Sequence, residues 1–259
     1  MAIWDPSTYL QFSDERSRPF FDLMARVRAE SPRNVVDLGC GPGQLTATLA
    51  ERWPQATVTG LDSSPDMIER AGDQARPGLT FSLADARQWR PTAPVDVLVS
   101  NAALQWVPDH RQLLPRLVAS LAAGGWLAVQ VPGNFDEPSH RLLHELAADA
   151  RFAAATAGVE RPAAYDAATY LADLSGLGCR VEAWETTYLH VLTGPDPVFR
   201  WLSGTGARPV LQAMAEPLRA QFAREYGALL RQAYPAQAYG TVLPYRRVFV
   251  VAQTPAEDR

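Results

Sequence analysis

From Asn34 to about Val131 the chain alternates short aliphatic, β-branched runs with stretches in which apolar positions recur at helical spacing. That rhythm predicts βαβ units on a parallel sheet, because a strand covered on both faces reads as a continuous apolar run and each parallel connection needs a crossover helix. Strands are expected over 34–38, 57–61, 79–83, 95–99 and 125–131. One helix is expected from Gly43 to Arg52. A second opens at Ser64, an N-cap followed by Pro65 in the first helical position, where a missing N–H costs nothing. A third is expected over 109–122, where Leu113, Leu114, Leu117, Val118 and Leu121 recur at helical spacing and Pro115 lies near the start. Later, Arg180 to Leu192 and Arg246 to Val251 read as two more strands, separated by about fifty mostly helical residues.

The first strand runs into Asp37-Leu38-Gly39-Cys40-Gly41-Pro42-Gly43. Glycine has no Cβ and tolerates positive φ, so such a turn lets the backbone pass close to a ligand and marks a small-molecule site. Its Gly-x-Gly-x-Gly spacing behind an acid differs from the Gly-x-Gly-x-x-Gly that seats a pyrophosphate, which disfavours a nicotinamide-dependent oxidoreductase. Asp62 ends the second strand nineteen residues beyond Gly43, where an acid can accept both hydroxyl protons of a ribose. Asp85 ends the third.

Composition narrows the class. The chain has 259 residues, 47% hydrophobic and 20% charged, enough for one large α/β domain with an insertion. The formal charge is -4, and all 24 basic residues are Arg, scattered without a basic block, so a general affinity for nucleic acid is not expected. No apolar run approaches the ~20 residues of a membrane span and the N-terminus does not read as a leader, so a cytoplasmic location is expected. Cys40 and Cys179 read as packing residues, and no metal-ligand spacing appears. Trp4, Tyr9, Gln11 and Phe12 precede Ser13-Asp14-Glu15-Arg16-Ser17-Arg18-Pro19, a density of large side chains that a disordered tail would not need. A lid is expected there. His110 and His140 read as exposed helix residues.

The chain resembles the trans-aconitate 2-methyltransferase family nearly end to end. The resemblance rests on Trp4-Asp5-Pro6-Ser7-Thr8-Tyr9-Leu10, Glu15-Arg16-Ser17-Arg18-Pro19, the Asp37–Gly43 motif and Asp62-Ser63-Ser64-Pro65. It continues through Asn101-Ala102, Leu104-Gln105-Trp106, Pro108-Asp109-His110, Thr186-Thr187-Tyr188, Thr205-Gly206 and Arg208-Pro209. It is thin over Arg151 to Tyr165, and the pair Arg246-Arg247 stands where the family pattern has a single arginine. The resemblance implies a Rossmann-like class I methyltransferase sheet with helices on both faces, an N-terminal helical lid and a helical insertion before the last strand. Its domains would be a lid at 1–30, a domain binding S-adenosyl-L-methionine (SAM) at 31–194, a helical cap at 195–240, and the last strand and tail at 241–259. It implies an enzyme that uses SAM, releases S-adenosyl-L-homocysteine, and forms the monomethyl ester of trans-aconitate or a similar small polycarboxylate. The alternatives are a methyltransferase acting on another small acid or alcohol, and a non-catalytic SAM-binding module.

Residue roles follow from the resemblance and the chemistry together. Asp37, Gly39, Gly41, Gly43, Asp62, Ser63, Asp85, Ala86, Asn101 and Ala102 are expected at the cofactor, with Arg87 beside the adenine. Asp37 would favour the ammonium of the methionine portion, directly or through water, and could at the same time satisfy the amides of the glycine loop. A carboxylate nucleophile is already ionised at neutral pH, so no base is expected, and the enzyme's task is alignment. Neutral donors, Gln11 and Trp106, suit the reacting carboxylate, and arginines suit the others because the guanidinium fork is bidentate. Arg208 is the first choice. Arg246 and Arg247 alternate across a strand, so only one can face the pocket. Tyr9, Tyr188 and His190 are secondary candidates.

Overall fold

The computed structural model describes residues 13–256, with side chains from residue 17 onward. The readings of Trp4, Tyr9, Gln11 and Phe12, and residues 1–12 of the expected lid, therefore lie outside the described residues. Seven strands, β1 (Asn34–Leu38), β2 (Thr57–Asp62), β3 (Leu79–Leu83), β4 (Val95–Asn101), β5 (Leu121–Pro132), β6 (Arg180–Leu192) and β7 (Thr241–Gln253), form one sheet. Their order is β3-β2-β1-β4-β5-β7-β6. The first five are parallel, and β7 runs antiparallel to β5. The order reverses between β1 and β4, and in an open α/β sheet a ligand crevice forms at the carboxyl ends of the strands at such a switch point.

The helices are α1 (Ser13–Met24), α2 (Gln44–Arg52), α3 (Pro65–Ala71), α4 (Leu114–Ala119), α5 (Pro138–Ala147), α6 (Ala153–Thr156), α7 (Ala167–Gly176), α8 (Pro197–Ser203), α9 (Arg208–Gln212) and α10 (Leu218–Ala233). Ser64 caps α3 through its side chain, which accepts from the Met67 N–H, with Pro65 in the first turn as the sequence predicts. The helix expected over 109–122 is broken up. A 3-10 turn covers His110–Leu113, and α4 runs only from Leu114 to Ala119. Leu121 is taken by the sheet, where it pairs with Val95. Pro115, lacking an N–H, sits in the first turn of α4, the position a proline tolerates. No helix among the described residues is long and apolar enough to cross a membrane.

Two compact units divide the chain. The sheet unit comprises Arg16–Pro132, Ala164–Thr186 and the chain from Arg247 onward. Its core joins Val36, Leu98, Leu127, Val129 and Val250 from the strands to Leu114, Leu117, Tyr170 and Leu174 from the helices. The second unit contains Gly133–Ala163 and Thr187–Arg246, so residues 133–163 group with the late helices and not with the sheet. Its core is a cluster of large side chains, among them Phe152, Trp201, Phe222, Tyr226 and Tyr245. Strands β6 and β7 contribute residues to both units.

Both histidines expected on exposed helix faces are buried. His110 lies on the 3-10 turn, with its Nε2 2.6 Å from the Tyr170 hydroxyl and its ring stacked on Tyr170. His140 shares one face of α5 with the buried Leu143 and Ala147, three and seven residues on, and packs edge to face against Phe135. That helical phase was present in the sequence and carries the imidazole inward.

The second unit's core should behave as large aromatic cores do. Phe222 is fully buried and meets Phe152 edge to face with centroids 5.0 Å apart. Phe222→Ala should cost about 3–5 kcal/mol, read as a fall in the urea unfolding midpoint. A loss under about 1 kcal/mol would show that this cluster does not hold the unit together.

Candidate active site

The loop after β1 carries three left-handed glycines, Gly39 at φ 87°, Gly41 at φ 54° and Gly43 at φ 84°. At Gly39 a Cβ would lie 2.1 Å from the Cβ of Ala103, so the loop after β1 touches the loop after β4 only because this side chain is absent. At Gly41 a Cβ would meet nothing within 4 Å among the described residues, so on their side the middle of the loop leaves room for a ligand to approach the backbone. Three of the loop's amides are satisfied from β2, and Gly43 N donates to the Cys40 carbonyl at 3.2 Å. Gly39 N and Cys40 N donate to the Leu61 carbonyl at 2.7 and 2.9 Å, and Gly41 N donates to Asp62 Oδ2 at 2.9 Å. The other oxygen of Asp62 accepts from Ser64 N at 2.9 Å. Asp62 thus ties the glycine loop to the start of α3. A carboxylate offers about four acceptor sites, so two remain for ribose hydroxyls.

Asp37 is buried and accepts the Thr46 hydroxyl at 2.6 Å. The second role given to it, satisfying the glycine loop's amides, is overturned: Leu61, Asp62 and Cys40 take those amides, and Asp37 faces α2. Burial pushes its carboxyl up to about 6; the Thr46 hydrogen bond opposes the rise and the charge of Asp62 adds to it. An ionised carboxylate here is held against a desolvation penalty that a nearby ammonium would relieve. Thr46 was not singled out from the sequence, where one threonine in a helix carries no signal.

Asp85 is half-buried and gripped by Arg87, whose Nη2 lies 2.6 Å from Oδ2 and whose backbone N–H also donates to it. Those bonds hold its carboxyl below the usual range. Ala86 follows at half exposure, and Ser63 is exposed after β2. Asn101 ends β4 with a buried Oδ1 that has no partner among the described residues. Ala102 has φ 53°, an uncommon conformation for a residue with a Cβ, held by its N–H donating to the Gln130 carbonyl at 2.9 Å and its carbonyl accepting from Gln105 Nε2 at 2.6 Å. Strain held in place by surrounding bonds at a strand end is a mark of a functional loop. Trp106 stands in the 3-10 turn just beyond, 39% exposed, and so is not a core aromatic.

Among the arginines, Arg247 is buried and Arg246 half-buried, so the strand's alternation turns Arg247 inward. Arg247 Nη1 donates to Gln130 Oε1 at 3.2 Å. Gln130 was missed from the sequence, although one amide inside the apolar run from Trp126 to Val131 is a legible signal. Arg208 opens α9 in the second unit and is buried, 8% exposed, so it is not a surface arginine. Tyr188 and His190, also in that unit, are buried and stacked nearly parallel. Gln11 and Tyr9 lie outside the described residues. A cavity of about 370 Å³ in the sheet unit is lined in part by Asp109, Arg111, Tyr165 and Asp173. Its Arg111 is already gripped by Asp173 at 2.6 and 2.7 Å, so it offers no uncancelled charge to an anion. Among the described residues no cluster of His, Cys, Asp and Glu is placed to hold a metal ion.

A glycine loop with room for a ligand, an acid at the end of β2 with acceptor sites left, and a buried carboxylate on β1 fit a ligand with a ribose and an ammonium, as SAM has. Comparison with known proteins agrees. The family described as "Methyltransferase domain" matches residues 35–125. The chain is 52% identical to the trans-aconitate 2-methyltransferase of Streptomyces avermitilis, over 98% of this chain and 97% of the relative. It is 51% identical to the enzyme of that name from Rhodococcus jostii, over 97% and 99%. The fold is similar to that of the Haemonchus contortus phosphoethanolamine N-methyltransferase 2 solved with SAM, with a TM-score of 0.57 and 16% identity over 92% of this chain and 52% of that one. It is also similar to the Haloferax volcanii methyltransferase solved with its Trm112 activator, with a TM-score of 0.58 and 18% identity over 96% and 93%.

The environment of Asp37 has a consequence for pH. Because its folded pKa lies above 3.8, the native state holds the proton more tightly than the unfolded chain does. Its contribution to stability is therefore full below about pH 4 and is lost as pH rises through about 6, on the order of 3 kcal/mol in all. Asp37→Asn should raise the urea midpoint of the cofactor-free protein at pH 8, shrink that gain as pH falls towards 4, and weaken SAM binding by calorimetry. A gain of equal size at both ends of the range would mean that Asp37 is not the group titrating.

Proposed function

Because the chain belongs to the trans-aconitate 2-methyltransferase family of class I SAM-dependent methyltransferases, we propose that it esterifies one carboxylate of trans-aconitate or a closely similar small polycarboxylate. The observation that carries this reading is identity of about one half sustained over 97–98% of the chain with relatives of that name. SAM, when bound, supplies a methyl group on a sulfonium, open to in-line displacement. In this reading Asp62 holds the ribose, Asp37 the ammonium, and the Asp85–Ala86 turn the adenine, while Gly39, Gly41, Gly43, Ser63, Asn101 and Ala102 line the cofactor with backbone and small side chains.

The chain's remaining work is to bind and align an acid that needs no deprotonation. With a reference pKa near ~4 its carboxylates are ionised at neutral pH, and near-attack alignment is worth effective molarities of roughly 10⁵–10⁸ M. Burial pulls the His110 pKa down and takes that of His140 to about 4, so His140 is neutral at pH 7 and a weak base. Trp106 and Gln11 are assigned to the reacting carboxylate as neutral donors, which do not pin its electrons as a full cation would. Arg208 and Arg247 are assigned to carboxylates that do not react, with Tyr9 and Tyr188 as lesser contacts and Arg246 set behind Arg247. The free thiols of Cys40 and Cys179 suit a cytoplasmic protein.

Mass spectrometry of the product from methyl-labelled SAM and trans-aconitate tests the reading. One labelled methyl ester per S-adenosyl-L-homocysteine released is expected, and release only with some other acid or an alcohol would overturn the substrate assignment. Arg208→Ala should leave SAM affinity unchanged and cost roughly 2–5 kcal/mol in kcat/KM for trans-aconitate, as truncating one partner of a buried charge pair does. Lysine should recover only part of that, since it lacks the planar fork. An equal loss for a monomethyl ester of the substrate would move Arg208 off the carboxylate that the ester masks.

A further inference from the structure

The turn assigned to the adenine hangs from an edge strand, since β3 has β2 as its one sheet neighbour. Ala84 N ties the start of the turn to β2 by donating to the Asp62 carbonyl at 2.9 Å, and local bonds close it, with Gln88 N and Trp89 N donating to the Asp85 carbonyl at 2.9 and 2.8 Å. A longer reach comes from α4, where Arg116 Nη2 donates to the Ala86 carbonyl at 2.5 Å across 30 residues of sequence. The N–H of that same peptide group, Arg87 N, donates to Asp85 Oδ1 at 2.8 Å, so the 86–87 peptide plane is held at both ends. Stability alone does not favour this arginine. It is half-buried on a six-residue helix; burial and the nearby Arg90 lower its pKa, Asp85 offsets part of that, and its Nε is buried with no acceptor among the described residues. A desolvated cation with an unmet donor is destabilising. A cation in the last turn does complement the helix dipole, but a lysine with its head in water would do so without that penalty.

We propose that Arg116 is a positioning residue for adenine recognition: by holding the Ala86 carbonyl it fixes the 86–87 peptide plane and, through the Arg87 N–H, the direction in which Asp85 presents its carboxylate to the exocyclic amine. This rests on the functional reading above and adds a determinant of cofactor selectivity that no sequence motif marks. The direction matters because Asp85 is nearly full. Arg87 occupies it with its backbone N–H, Nε and Nη2, which leaves about one of a carboxylate's four or so acceptor sites. A single remaining site discriminates between base edges only if it is aimed.

A supporting role for α4 and a role in aiming Asp85 differ in which ligand they affect. The probes are S-adenosyl-L-homocysteine and its inosyl analogue, in which an oxygen acceptor replaces the amine donor of the base. Calorimetry should find that wild-type protein prefers the adenosyl compound. Arg116→Met, which keeps the length of the side chain and loses its donors, should weaken the adenosyl compound by about tenfold, the lower end of what a hydrogen bond from a charged donor is worth, and the inosyl analogue by less than about threefold. The preference should therefore collapse. KM for SAM should rise by a similar factor with little change in kcat, because the base is bound alike before and during methyl transfer. Equal weakening of both compounds, or adenosyl affinity within about twofold of wild type, overturns the proposal. If Arg116→Met does not fold, Arg116→Lys decides: it keeps the charge without the fork and should show the same selective loss at smaller size, and an unchanged preference overturns the proposal. Wild-type protein that binds neither compound would instead remove the functional reading, and wild-type protein that binds both equally would remove adenine from Asp85; this inference falls with either.

Discussion

The ligand-facing edge of the sheet depends on one close approach, that of Gly39 to Ala103, where the two loops flanking the topological switch point meet with no room for a Cβ. The rest of the edge follows from that contact. The glycine loop can lie against the loop after β4 only in left-handed conformations, and three of its amides then point where the Leu61 carbonyl and the Asp62 carboxylate can take them. Asp62 serves two ends at once: it locks the loop and retains lone pairs for a ligand. Ala102 carries the matching strain on the β4 side, pinned by Gln130 and Gln105.

Charge is managed differently at each acid of this edge. Asp85 is compensated by its own neighbour, Arg87, and Asp62 by backbone amides, whereas Asp37 is buried with one hydroxyl for company and a raised pKa. The least compensated carboxylate is the one assigned to a cationic part of the cofactor. Sites that bind ions commonly give up stability to keep a charge available, and local departures from the most stable choice mark them.

The second unit is held by aromatic bulk. Phe152, Trp201, Phe222, Tyr226 and Tyr245 bury more surface per residue than aliphatic side chains, and Tyr226 also donates its hydroxyl to the Ser139 carbonyl at 2.8 Å. His140 belongs to this packing: at Gly206 a Cβ would stand 2.7 Å from its Nε2, so the glycine of the family-like Thr205-Gly206 pair is required by the imidazole. A residue that reads in the sequence as part of a substrate-binding turn is, at least in part, a packing device.

Local signals were enough to place the strands of the sheet, the glycine loop, the cap of α3 and the acid at the end of β2. Each rests on interactions within a few residues, on the period of a buried strand, the φ range of glycine or a hydroxyl three residues from an amide, and the linear chain carries such information in full. Only the tertiary structure decided the rest. Leu121 left its helical pattern because Val95 of a distant strand claimed it, and His110 turned inward because Tyr170, sixty residues away, offers its hydroxyl. Arg247 and not Arg246 faces inward because β7 pairs with β5 in one register, with Arg247 opposite Pro132, and Gln130 became its partner through a diagonal contact across 117 residues of sequence. Which side chain compensates which charge depends on strand order and register, and those are set by burial of the whole core rather than by any one segment.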